Sequence, residues 1–467
     1  MESAREVQRH SAELRKELGL FDLVLAQILY VVGSAWVGTA ARLGDQHLIF
    51  WIAAIVLFYL PLAAVIIYLN RLMPLEGGLY QWAKLGFNPF AAFVVGWNLW
   101  LYIILFISSM GLMLATNISY ALGPSFAWMG SNKWCIATVT VTLAAGLIIV
   151  SILGLHTGKW VQNAGAIFQI ATFAALILLP LTGRARDYTP FHIAVPAISL
   201  LSLNIFGKIS MGAFSGFEYI AILAGECRNP ARTIGRSVLL AAPIVAGMFI
   251  LGTSSVLAYV SPEHVDLVGP VPQTLSIGLR RFGIGSAVAT AIILMLVGRQ
   301  IGVATLAITG VTRLPMVAGW DRLLPAWFSE LHPRYRTPVN SILVVNAMIL
   351  VMAFAGIVGV GHQEAFQILD NASNAFYGIA YLFMFAIPLV GLRRAEHKPP
   401  RWLRGAAFSG FAVTLLSCIL SMFPIVQVAS WLSFGLKVGG VVLIANLAGF
   451  YLYRVRPRSA TLAQSAD

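Results

Sequence analysis

Residues 211–230 read MGAFSGFEYIAILAGECRNP, with glycines, a serine and Glu218 inside a stretch otherwise apolar enough to span a bilayer. A carboxylate in hydrocarbon is costly, so it asks for a cavity, a partner or a proton. The chain around it has 467 residues, 59% hydrophobic and only 10% charged. Soluble domains carry roughly 25% charged residues, which excludes that class. Residues 48–69, LIFWIAAIVLFYLPLAAVIIYL, hold no charge at all. At roughly 1.5 Å per residue this run crosses a hydrocarbon core of roughly 30 Å, even with Pro61 in its middle. A barrel would instead show short alternating strands. The reading is an all-α polytopic membrane protein.

The apolar pattern places helices near 20–43, 47–70, 87–119, 134–153, 161–181, 197–226, 235–259, 284–312, 338–358, 366–391, 406–424 and 430–452, which makes twelve spans. The formal charge of +13 is spread unevenly over the connections. Arg71, Lys84, Lys159, Arg228, Arg232, Arg236, Arg313, Arg393 and Arg394 fall on the same side as both tails, while Arg42, Lys133, Arg184 and Lys437 fall on the other. The positive-inside bias therefore predicts cytoplasmic termini in an integral plasma-membrane protein, the inner membrane if it is bacterial. The mixed-charge lead MESAREVQRHSAELRKEL does not read as a cleaved signal peptide. Cys135, Cys227 and Cys418 fit no metal spacing, and no histidine pair does either, so no metal or cofactor is expected. The excess of basic residues lies on membrane loops, which argues against nucleic acid as a partner.

Interrupted helices carry the functional signal, because unwound backbone has hydrogen bonds to offer a ligand. The first span contains VVGSAWVGTA at 31–40 and the sixth contains MGAFSG at 211–216. Four helices separate them, so the two gaps take corresponding places if spans 1–5 and 6–10 are inverted halves. Small residues also mark close helix packing, and that reading stands beside the ligand one.

Four stretches together resemble the amino acid–polyamine–organocation (APC) superfamily: VVGSAWVG at 31–38, MPLEGGLYQWAKLGFNPFAAFVVGWNLW at 73–100, GAFSGFEYIAILAGECRNPARTIGRSV at 212–238 and TRLPMVAGWDRLLPAWFSELHPRYRTPVNS at 312–341. The resemblance implies a 5+5 inverted repeat with helices 1 and 6 broken, plus two peripheral helices. It divides the chain into an N-terminal tail (1–18), a ten-helix core (19–392, halves about 19–182 and 196–392), peripheral helices within 393–453 and a C-terminal tail (454–467). It also implies secondary transport, no catalytic residues, and a substrate-binding stretch at Gly33, Ser34 and Ala35 whose N–H groups take a substrate carboxylate. Carbonyls near Gly212, Ala213 and Phe214, with Ser215, are implied acceptors for its ammonium. The chain departs from the family at Ala35, where a third glycine is common, and at Gly212, where many members place an aromatic gate. Trp36 is a candidate to supply that missing ring.

Proton-coupled relatives carry a lysine on helix 5 where this chain has Gln169, which neither titrates nor carries charge. Lys208, Glu218 and Arg299 fall inside predicted spans, so they and Gln169 are candidates for coupling or gating. Arg299 is the expected partner of Glu218, since paired buried charges cost less than isolated ones. The alternative has Lys208 snorkelling and Arg299 bonded to helix ends. Trp97, Trp100, Tyr102, Asn371 and Asn374 are candidates to line the cavity, and Asn371, Asn374 and Tyr377 share a face on which an internal polar network is expected. The expected substrate is a small zwitterion or cation, with the lipid bilayer as the surrounding partner and no protein partner assigned. Amino acid transport leads, probed against two alternatives: a polyamine or organic-cation transporter, and a membrane sensor that keeps the fold without flux.

Overall fold

In the computed structural model, residues 16–182, 194–281, 286–320, 324–357, 362–391, 399–425, 428 and 430–455 are described. The helices run α1 (Leu20–Val31), α2 (Ser34–Ala41), α3 (Gly44–Leu72), α4 (Leu79–Gly86), α5 (Pro89–Leu122), α6 (Lys133–Leu153), α7 (Leu155–Leu178) and α8 (Leu200–Gly207). After α8 come a π-helical stretch (Lys208–Ala213) and a 3-10 stretch (Phe217–Glu226). Then follow α9 (Pro230–Leu257), α10 (Pro270–Arg281), α11 (Ser286–Trp320), α12 (Val339–Ile357), α13 (His362–Ala386), α14 (Arg401–Leu420) and α15 (Trp431–Val455).

Among the described residues, nine helices are long and apolar enough to cross a membrane, or ten if α1 and α2, bent by 43°, form one span. Twelve spans were expected. The two expected positions that fall short are α12, whose apolar stretch Val339–Ala355 is shorter, and the region from α8 to Glu226, which is divided into three pieces. Sequence patterning also passed over α4 and α10, short helices in connections whose composition is too polar for a span.

Local chemistry accounts for the boundaries. Asn88 accepts from the Ala91 N–H at the start of α5, and Asn132 does the same for Trp134 and Cys135 at the start of α6. Gly154 closes α6 at φ +81°, a conformation that costs a glycine little. Pro61 in α3 lacks an N–H to donate, and the π turn Ile55–Tyr59 just before it absorbs the lost bond.

The core sits where α5, α11 and α13 meet; 61% of the most apolar window of each is buried, against 17% for α15. That difference makes α15 a peripheral helix whose apolar surface suits lipid. α7 lies along α11 with Gly165 against Gly302: a Cβ on either would stand 2.9 Å from the other's Cα. Small residues allow this approach, backbone on backbone. The segment before α1 pairs with the end of the 3-10 stretch through a parallel bridge between Leu18 and Cys227.

Candidate functional site

The first interruption is two residues long. Val32 and Gly33 are extended (ψ 91° and 129°), and α2 restarts at Ser34. Neither a proline nor a positive φ forces the break. In a continuous helix the Val32 carbonyl would accept from Trp36 four residues on; here the Arg299 guanidinium takes it, Nη2 to O at 2.8 Å, and the Trp36 N–H turns to Gly33 instead. The opening turn of α2 thus keeps N–H groups that the helix cannot satisfy, at its partially positive end.

The second interruption is longer and several of its polar groups bond to α13, while the Ser210 hydroxyl is buried without a partner among the described residues. Gly216, at φ +124°, donates its N–H to the Tyr381 hydroxyl at 3.0 Å. Glu218 accepts from the hydroxyls of both Tyr377 and Tyr381. Lys208, 3% exposed, donates to Asn371 and reaches Asp370 at 3.4 Å. The expected Glu218–Arg299 pair is therefore corrected: tyrosines hold the carboxylate, while Arg299 holds Val32 and the Gln300 side chain. Lys208 does not snorkel, because its ammonium finds partners inside the bundle.

Trp36 joins the two interruptions. A Cβ on Gly33 would meet its ring at 2.5 Å, and a Cβ on Gly212 would meet the other end of that ring at 2.4 Å. The indole spans from one gap to the other, over space that a side chain at position 212 would need. The missing ring at Gly212 thus coincides with a ring arriving from α2.

The indole also lines a cavity of about 50 Å³. This is smaller than the roughly 300–1,000 Å³ of an open small-ligand site. Gly33, Ala35 and Trp36 face it from the first interruption, and Gly212 and Ser215 from the second. Arg299, Tyr102, Asn374 and Asp370 are among the other residues that line it. The Arg299 Nε and the Tyr30 hydroxyl, both of residues lining the cavity, are buried without a hydrogen-bond partner among the described residues. Ser34 is buried beside the gap.

Other expected residues lie elsewhere. Phe214 is stacked on Tyr59, centroids 4.2 Å apart, and Ala213 is buried outside the lining. Trp97 and Trp100 face a separate apolar pocket with Tyr80, Phe93 and Phe328, and Trp97 donates to the Ala445 carbonyl at 3.0 Å. Asn371 sits behind the wall, between Lys208 and the Ser421 carbonyl. Gln169 is buried in α7, with neither amide atom bonded among the described residues. The sequence reading missed Asp370 and Tyr381. Their signal was present: Asp370, Asn374, Tyr377 and Tyr381 recur at intervals of four, three and four, a polar stripe along one face of α13.

A cluster of charges closes the end of the bundle where α1 begins. Arg313 pairs with Glu226 at 2.8 Å, Glu76 accepts from the Gly225 N–H, and Lys159 pairs with Glu17 at 2.7 Å. Burial, with Glu226 beside it, raises the Glu76 carboxyl to about 8. Asp321 and Arg322, in the stretch 312–341, lie outside the described residues.

A helical membrane bundle with a polar cavity at two broken helices defines a permease-type transporter of small solutes rather than an enzyme. The family profile described as Amino acid permease matches residues 18–444, and the chain belongs to that family, within the APC superfamily. It is similar to an uncharacterized transporter of Legionella pneumophila, 25% identical with 83% of each chain covered. It is also similar to a probable agmatine/putrescine antiporter of Lactococcus lactis (21%, 87% of each chain) and to an aspartate/glutamate permease of the same species (22%, 83% of this chain and 84% of that one).

Proposed function

We propose that this protein carries amino acids across the plasma membrane by alternating access, as a sodium-independent exchanger or facilitated transporter. The observation that carries the reading is the open first turn of α2, facing the cavity at Gly33 and Ala35, with the fixed positive charge of Arg299 beside it. A substrate carboxylate meets unsatisfied N–H groups there, and its ammonium meets backbone around Gly212 and Ser215. Arg299 supplies a tethered cation at the Val32 carbonyl, where repulsion disfavours a sodium ion. The proposed topology keeps twelve spans in a 5+5 inverted repeat with two peripheral helices, the domain limits set out above and both termini in the cytoplasm.

A second reading, diamine transport, draws on one observation: Asp370 places a carboxylate in the cavity wall. Flux into proteoliposomes separates the two, using labelled amino acids and polyamines with and without internal counter-substrate, sodium and a pH gradient. Amino acid flux indifferent to sodium supports the proposal. A strict sodium requirement removes the role given to Arg299, and bound ligand without flux converts the protein to a sensor.

A further inference from the structure

Among the described residues, Asp370 is the one carboxylate lining the cavity and Arg299 the one Lys or Arg. Asp370 is not left open to solutes. Lys208 lies behind it, from the π-helical stretch ahead of the second interruption, with its ammonium 3.4 Å from Oδ2. The ammonium is held in place from the far side. Asn371 donates its amide to the Ser421 carbonyl at 2.9 Å, which leaves its side-chain oxygen to accept from Lys208. With Asp370 neutralised, the unbalanced charge on the wall is that of Arg299.

We propose that Lys208 is a tethered ammonium filling the cation position at Asp370, so that the cavity selects amino acids with neutral or acidic side chains over basic amino acids and diamines. Lys208 at Asp370 does what the distal ammonium of a diamine would do, and it does so without losing translational freedom on binding. A competing ammonium must displace a group that cannot leave. Removal of the lysine charge turns Asp370 into a vacant acceptor open to the cavity, since its side chain keeps 15% exposure where that of Lys208 has 3%.

The inference rests on the amino acid reading for the identity of the natural substrate, but its test does not. Binding of labelled putrescine to the purified full-length protein is measured for the wild type, Lys208→Met and the double variant Lys208→Met/Asp370→Asn. The expected result is a gain of at least tenfold in putrescine affinity in Lys208→Met, lost again in the double variant. A purely structural tie between the two helices predicts no gain of a new ligand. Wild-type protein that binds putrescine as tightly as Lys208→Met overturns the proposal, as does a monodisperse Lys208→Met with no gain. The wild type gives a second measure should the variant misfold: excess putrescine or lysine must fail to slow uptake of labelled neutral amino acids, and inhibition overturns the idea. Absence of amino acid flux with a putrescine gain in Lys208→Met would sink the transport reading alone.

Discussion

The two interruptions use the same device to opposite ends. At Val32–Gly33 one guanidinium takes one carbonyl, and the restarted helix turns its first residues toward the cavity. From Lys208 to Glu218 the Lys208 ammonium, the Gly216 N–H and the Glu218 carboxylate are answered within the protein, by Tyr377, Tyr381, Asn371 and Asp370, all on α13. Under the proposed function the first gap takes the substrate carboxylate, while the second is tied to α13 by side-chain hydrogen bonds. The loose ends of a broken helix can thus be answered by a ligand or by the protein, and glycine content does not reveal which case applies.

The strongest challenge to this contrast is Gly33→Leu. The added side chain drives into the Trp36 ring and the cavity, and amino acid binding should weaken by about 100-fold, about 3 kcal/mol. Equilibrium binding measures it, with chromatographic behaviour unchanged; retained affinity would move the ligand away from the first gap. Gly212→Ala should cost about tenfold in affinity, because its methyl meets the far end of the same indole. Adding Trp36→Leu to it should recover much of the loss, and a double-mutant cycle without coupling would separate the two gaps. Arg299→Met leaves the Val32 carbonyl without its partner and should slow uptake several-fold, a loss of about 1–2 kcal/mol. Normal uptake would show that the break needs no tethered charge.

Tyr381→Phe tests the other side of the comparison. It removes an acceptor from Gly216 and a donor from Glu218, so turnover should fall about fivefold while affinity changes less than about twofold. Equal changes in both would erase the distinction between the gaps. The smallest effect concerns Glu76, which holds the tail of the second gap at Gly225. A carboxyl raised to about 8 in the folded state gives stability that is present below the usual carboxyl range and is lost as pH rises through 8. The melting temperature should drop by about 2 °C between pH 6 and 9, and Glu76→Gln should flatten that drop.

The membrane class, most helix limits and both gaps were legible in the sequence because apolar run length and small-residue clusters are local signals. Gly33 and Ser215 could be placed at gaps for that reason. The partners of Glu218, Lys208 and Arg299 were not legible, since each bond joins residues far apart in the chain. Trp97 and Trp100 misled because aromatic rings on a membrane helix look alike whichever neighbour they face. Asp370 was within reach: its stripe along α13 has helical period, but the run of 366–391 reads as one apolar span when averaged over its length.

The contact of Gly165 with Gly302 constrains how such a cavity can open. With no side chains between the two backbones at this point, α7 and α11 are expected to keep their separation as the cavity opens. Spin labels placed on these two helices should hold a constant separation through the transport cycle, while labels from either one to α2 should show two distances.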